Sequence, residues 1–365
     1  MIKTSHEWIG KLANECVAIA EMRLETDIKN VDLDADALNL ANCDAHCRLI
    51  VRAIDELTNK NFSSIEDARN LLCNLIGRNT YGAFAELAAY EWFTRCNVGI
   101  TTQVEMASSE VLSKNGSTLD GKINHNNTYF DVKAFGFNGQ LARRLKERLE
   151  KEITDEQVFI EGSWDISIEK FSELIESAPR IAVDLRRERM LQFGRLRIRL
   201  EIKKPVSISS HTIEPYCLAR ENALYPFKFA KQFTRNNPFI LIFVIHPWFN
   251  SLSIHDDFAG TDTTFTRSLV RRAFMQFTSD STPVNSICDN VPTEITLADA
   301  SRFLSAIFFV NVWPLDADPN MTYRPPSWLY LNPRAKHRIT PQQVRYFQDD
   351  NPHGTYIDDF VDDDY

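Results

Sequence analysis

Two carboxylates and an amine lie close together in the stretch Ser117–Phe135, STLDGKINHNNTYFDVKAF: Asp120, Asp131 and Lys133. Leu119, Ile123, Phe130 and Val132 alternate there with Asp120, Lys122, Tyr129, Asp131 and Lys133. This period of two is that of a half-buried hairpin. Asn124–Asn127 supplies residues that tolerate turn geometry. Folded symmetrically about His125 and Asn126, the hairpin sets Asp120 directly opposite Asp131, with Lys133 further along the same face. Facing carboxylates repel unless a counter-ion lies between them. A divalent cation would remove the repulsion, and Mg²⁺ commonly takes one or two carboxylates together with phosphate oxygens.

Just upstream, YGAFAELAAYEWF (Tyr81–Phe93) reads as a helix carrying Glu86 among small and apolar residues. An unpaired carboxylate is costly in such surroundings, so a partner is expected. Glu91 is the weaker candidate, beyond the Ala-rich face. In chain order, a helix Glu, an Asp and then Asp131-Val132-Lys133 resemble the PD-(D/E)xK, or restriction-endonuclease-like, nuclease superfamily over Thr80–Phe135. Leu119 stands where the family name has Pro, and Asp131 uses the permitted alternative to Glu; neither departure removes a metal ligand.

The resemblance implies an α/β fold with a mixed central sheet flanked by helices. It implies Mg²⁺ or Mn²⁺ held by Asp120, Asp131, the backbone carbonyl of Val132 and Glu86. Lys133 would orient or activate the attacking water. Nucleic acid, DNA ahead of RNA, is the implied substrate, in a restriction or antiviral-defence setting where a second copy of the chain or another defence protein is the partner. The rival is a nucleic-acid-binding or scaffold protein that kept the fold without turnover. Loss of one of these residues would mark it, and Glu86, Asp120, Asp131 and Lys133 are all present.

Other chemistries find less support. The chain has no phosphate-cradling G-x-x-x-x-G-K-[ST], no G-x-G-x-x-G and no H-E-x-x-H, and its eight histidines are scattered. His246 and His255, beside Asp256 and Asp257, read as solvated groups at a strand end. CDAHC (Cys43–Cys47) puts two thiols on one helix face, but no second pair follows at zinc spacing, so core thiols are expected. Glu201-Ile202-Lys203, preceded by Asp184, is a second E-x-K sequence. It ranks behind the first because no helix Glu in small-residue surroundings precedes Asp184 as closely.

The elements that must position these groups follow from periodicity. Residues 1–79 read as an N-terminal helical bundle, with Trp8, Leu12, Cys16, Ile19 and Met22 at helical spacing and a capping box at Ser63–Glu66. Residues 80–345 read as the nuclease-like domain, with an insertion around 155–235, and residues 346–365 as an acidic tail. Gly99–Val104 is a strand or loop, and Leu141–Ile153 a helix whose Arg143, Arg144, Lys146 and Arg148 could face phosphate. Val158–Ile160, Arg180–Leu185 and Arg195–Lys204 read as strands around a helix at Ile168–Ser177. The run PFILIFVIHP beginning at Pro238 reads as a buried central strand, covered by a helix at Phe265–Phe277; Leu304–Val312 is a second buried strand and Trp328–Leu331 a short one.

Composition bounds the rest. A chain of 365 residues with 44% hydrophobic content can bury a substantial core. The N-terminus lacks a signal-peptide layout and no stretch approaches the roughly 20 apolar residues of a bilayer span, so a cytoplasmic protein without a membrane is expected. The seven cysteines suit reduced thiols. The net charge of −9 disfavours a nucleic-acid partner, but the tail's seven Asp account for most of it and leave the remainder near −2. The tail, Asp349–Tyr365, is expected to be disordered or to lie over a basic surface.

Overall fold

The computed structural model describes residues 1–77, 79–135, 138–163, 166–203, 211–212, 214–245, 259–312, 327–345, 347 and 355–360. The expected loop holding His246, His255, Asp256 and Asp257 lies outside them. The chain forms two compact units, one of Met1–Ala134, Pro226–Ile245 and Ala273–Tyr365, the other of Phe135–Tyr225 and His246–Arg272. The expected 155–235 insertion thus falls in the second unit up to Tyr225 and in the first from Pro226. Among the described residues no helix is long and apolar enough to cross a membrane.

The first unit opens with helices α1 (Ser5–Glu15), α2 (Val17–Met22), α3 (Ala35–Ala41), α4 (Asp44–Asn59), α5 (Ile65–Gly77) and α6 (Thr80–Arg95). The helical spacing from Trp8 to Met22 is interrupted at Cys16, whose extended backbone (φ −141°, ψ 116°) ends α1 and starts α2. The cap of α5 sits one residue later than expected: Asp67 N–H donates to Ser64 Oγ at 3.0 Å, and Ser64 Oγ donates to Asp67 Oδ2 at 2.6 Å. In the CDAHC motif, Cys47 is buried with its Sγ donating to the carbonyls of Leu40 and Ala41. His46 is buried edge-on to Phe84 of α6, and burial lowers its pKa to about 3, so it is neutral. Because α4 and α5 pack against α6, the residues before Asn79 share one unit with the sheet.

Helix α6 starts where the Asn79 side chain accepts the Gly82 N–H at 3.1 Å. Its other face packs on the sheet, Phe93 against Phe130 at 4.8 Å and Trp92 against Phe308 at 4.8 Å between ring centroids. Strands β1 (Ile100–Met106), β2 (Ser117–Ile123) and β3 (Thr128–Phe135) follow as an antiparallel meander. A Cβ at Gly121 would run into the Phe130 ring, so glycine at this position in β2 lets that ring lie across the ladder.

The second unit contains α7 (Asn138–Glu152), β4 (Glu156–Ser163), α8 (Ile168–Glu176), α9 (Ala178–Glu188), β5 (Met190–Phe193), β6 (Leu196–Ile202), β7 (His211–Thr212) and α10 (Pro215–Glu221). Its sheet runs β5-β6-β4-β7. Leu145, Leu149, Phe171, Leu185 and Ile198 belong to its core. Arg180–Leu185, expected as a strand, lies in α9 instead. Pro179 suits the first helical turn, and Ile181, Ala182 and Leu185 recur at helical spacing as the buried face.

A 3₁₀ run, Tyr225–Gln232, leads back to the first unit and β8 (Phe239–Ile245), which is buried along its whole length. The helix expected at Phe265–Phe277 is the end of α11 (Ala259–Arg271), which packs on α10 within the second unit, followed by a π-helical run, Arg272–Gln276, whose Ala273 and Phe274 are buried in the first. The first unit is completed by α12 (Leu297–Phe303), β9 (Ala306–Asn311), β10 (Ser327–Leu331) and β11 (Thr355–Asp359). The seven-stranded sheet is mixed, in the order β1-β2-β3-β8-β9-β10-β11, with β8 parallel to β9, β9 antiparallel to β10 and β10 parallel to β11. It is flanked by helices, and the fold is α/β.

Of the expected tail, Asp349–Tyr365, the described residues Thr355–Phe360 are ordered, with Thr355–Asp359 forming strand β11. Thr355–Asp359 pairs with Ser327–Leu331, Asp359 faces Arg338 at 3.4 Å, and Phe360 is buried with its ring stacked on Tyr330. Its acidic residues hid a short strand whose stability comes from the hydrogen-bonding edge of β10 and a single aromatic anchor, neither of which makes a periodic pattern.

Candidate active site

The hairpin takes the register its alternation predicts, pairing Gly121 with Phe130, Lys122 with Tyr129 and Ile123 with Thr128. Asp120 and Asp131 come next in that register. The Val132 N–H donates to Asp120 Oδ2 at 2.6 Å, which ties the carboxylate of β2 to the backbone of β3. On the other side of β2, the pairing with β1 runs from Thr102–Gly121 to Val104–Leu119 and passes over Gln103 and Asp120. The Asp120 carbonyl there accepts the Tyr90 hydroxyl of α6 at 2.7 Å.

The remaining groups close around this gap. Lys133 Nζ makes an ion pair with Asp131 Oδ2 and lies 5.5 Å from the Phe229 ring centroid. Gln232, at the end of the 3₁₀ run, donates from Nε2 to Asp131 Oδ1 at 3.0 Å. Glu86, half-buried on α6, accepts from Gln103 Nε2 at 3.4 Å. The structure thus brings Glu86, Asp120, Asp131 and Lys133 into one cluster, with Asp131 only 1% exposed at its centre. Glu91 has a different role: it is buried and pairs with Arg52 at 2.9 Å, tying α4 to α6.

Burial dominates the electrostatics. It pushes the Glu86 carboxyl up to about 9, helped by the negative charges of Asp120 and Asp131 and opposed by Lys133. Burial also raises Asp120, whose shift is held in check by Lys133 and the Val132 N–H. Asp131 is driven well above the usual carboxylate range by burial and then by the charge of Asp120. Burial works against the charge on Lys133, but the carboxylates of Asp131 and Asp120 outweigh it and raise its pKa, so Lys133 is a cation at neutral pH.

Among the described residues no group of three or more His, Cys, Asp or Glu stands arranged to hold a metal ion. The donor set nevertheless suits one. It is all oxygen, the preference of Mg²⁺ and Mn²⁺, and a site of two carboxylates completed by phosphate oxygens and water needs no preformed cage. Asp131 Oδ2 is buried with no hydrogen-bond partner among the described residues and only the Lys133 ammonium to offset it. Asp120, Asp131 and Glu86 are the side chains that would hold the ion, with the Val132 carbonyl as backbone ligand.

The decoy sequence does not form a comparable cluster. Asp184 lies on helix α9 and pairs with Arg187, Glu201 pairs with Arg199, and Lys203 Nζ donates to the Thr154 carbonyl at 2.7 Å. The arginines of β6 are also occupied: Glu161 of β4 accepts from Arg197 at 3.1 Å and from Arg199 at 2.7 Å. On α7, Arg143 faces Glu147 at 3.7 Å and Lys146 faces Glu150 at 3.8 Å. Reading the sequence alone misses Tyr90, Gln103 and Gln232. Of these, only Tyr90 carries a local signal, one helical turn after Glu86. Comparison with protein-family models, with curated proteins and with solved structures finds no match.

Proposed function

We propose that this chain is a metal-dependent nuclease that hydrolyses phosphodiester bonds in nucleic acid, with DNA ahead of RNA as the candidate substrate, in the manner of the PD-(D/E)xK superfamily it resembles. One observation carries the reading: Lys133 pairs with Asp131, and Glu86 and Asp120 lie near enough for its charge to act on their carboxyls. Fully ionised, these groups keep a net charge of −2, the amount a divalent cation neutralises. Without the cation, burial above all raises the three carboxyl pKa values, and bound protons make up the difference.

A bound Mg²⁺ would lower the pKa of its water from about 15.7 toward neutrality and offset charge on the phosphate. The chain's own groups do the rest. Asp120 is anchored by the Val132 N–H and Asp131 by Gln232, so both carboxylates are held in place before substrate arrives. Lys133, kept protonated by Asp131 and Asp120, acts as a hydrogen-bond donor and a positive charge toward the attacking water and the developing phosphorane; a lysine with a raised pKa is a poor general base.

The test is a cleavage assay on plasmid, single-stranded DNA and RNA with Mg²⁺ or Mn²⁺, run beside Asp131→Asn. Metal-dependent cutting by the wild type alone is the expected result. Turnover that persists in chelator, or in Asp131→Asn, would overturn the mechanism.

A further inference from the structure

We propose that Gln103 is a positioning residue for Glu86, held in a strained backbone conformation so that its carboxamide meets Glu86 where the β1–β2 ladder is interrupted. The proposal rests on the reading of the Glu86, Asp120, Asp131 and Lys133 cluster as a metal-dependent site.

The backbone supplies the first observation. Gln103 has φ +51°. The other non-glycine residues with positive φ among those described, such as Arg23, Asn61, Asn127 and Arg189, occupy helix ends and turns, where left-handed residues are ordinary. Gln103 alone among them lies inside a strand. Glutamine gains nothing there from the short side-chain hydrogen bonds that let asparagine visit this region. Backbone strain of this sort persists only where surrounding structure holds it, and it gathers at functional sites.

The side chain supplies the second. Gln103 Nε2 reaches Glu86 Oε2 at 3.4 Å. Tyr90 donates to the carbonyl of Asp120, the residue that Gln103 would face in the ladder. At this interrupted rung Gln103 meets the helix carboxylate, and Tyr90 of the same helix meets the backbone of the strand carboxylate. A regular strand residue at 103 would restore pairing to β2 and leave Glu86 without this donor. A neutral donor also suits the position: it orients a carboxylate without supplying the positive charge that a metal would otherwise bring.

Two variants of the full-length chain separate this role from a purely structural one. Gln103→Asn tolerates the left-handed backbone but withdraws the amide by one methylene, and Gln103→Gly removes both strain and amide. Melting curves without metal are compared with Mn²⁺ titrations read by melting temperature and by cleavage rate. The proposal expects both variants to melt no lower than wild type without metal. It also expects each to need at least about tenfold more Mn²⁺ for half-maximal response, with the KM for nucleic acid unchanged. Variants that follow the wild-type Mn²⁺ curve overturn the role of Gln103 and leave the nuclease reading standing. A wild-type chain that responds to Mn²⁺ in neither readout removes both.

Discussion

Gln232 donates from Nε2 to Asp131 Oδ1 at 3.0 Å, although 101 residues separate the two in the chain. The contact ties the run before β8 to the central carboxylate of β3. It also leaves Gln232 Oε1 buried with no hydrogen-bond partner among the described residues. An unsatisfied buried acceptor costs about 1–3 kcal/mol, so the arrangement is better explained by what it does for Asp131 than by stability.

Gln232→Ala should therefore weaken metal-dependent cleavage about 10- to 100-fold, the usual effect of removing an outer partner of a metal ligand. Much of the loss should return at high Mn²⁺ concentration. Rates measured across a metal series decide it; a loss that no amount of metal restores would point to misfolding.

Asp131→Asn should abolish cleavage while leaving the metal-free protein at least as stable as wild type, because it removes a buried carboxylate that faces another at close range. Thermal melts in chelator, run beside activity, check both halves. A large drop in melting temperature would mean the Lys133–Asp131 pair is structural first.

Lys133→Ala should lower the cleavage rate about 10²- to 10³-fold at saturating substrate, the range typical for removing a donor to developing charge. Lys203→Ala should cost little, since Lys203 is exposed and its ammonium donates to the Thr154 carbonyl. Paired kinetics on the two variants distinguish the sites, and the opposite ranking would move the chemistry to the second unit.

The raised Glu86 pKa sets a pH dependence. In the unfolded chain Glu86 loses its proton near 4.5, whereas in the folded, metal-free protein it keeps the proton up to about 9. The folded state then binds more protons across this window, so the site's contribution to stability is complete below 4.5 and is lost as pH rises toward 9. Melts of metal-free protein over this range should fall more steeply for wild type than for Glu86→Gln. Metal binding should run the other way, tightening as pH rises because the ion displaces protons.

Truncation before Thr355 should destabilise the fold, because it strips β10 of its parallel neighbour and exposes Tyr330 where Phe360 stacks. Losing the buried Phe360 ring alone is worth about 2–3 kcal/mol. A melting temperature unchanged on truncation would return these residues to the role of a solvated tail.

What the sequence by itself determined lies in its local periods. Alternation from Leu119 to Val132 set the hairpin register and with it the approach of Asp120 to Asp131, because slipping by one residue would turn Phe130 and Val132 out of the core. The small residues of Tyr81–Phe93 marked a helix that packs closely, and unbroken apolar runs marked β8 and β9. Only the tertiary structure decided the rest. Gln103 and Gln232 are polar residues with no distinguishing neighbours; they became site residues when one met Glu86 from an adjacent strand and the other met Asp131 from a distant turn. Arg197 and Arg199 acquired their partner, Glu161, only when β4 paired with β6. A period reports which face of a segment is buried. It carries no record of which distant donor, acceptor or sheet edge that face meets, because those contacts exist only once the chain has closed on itself.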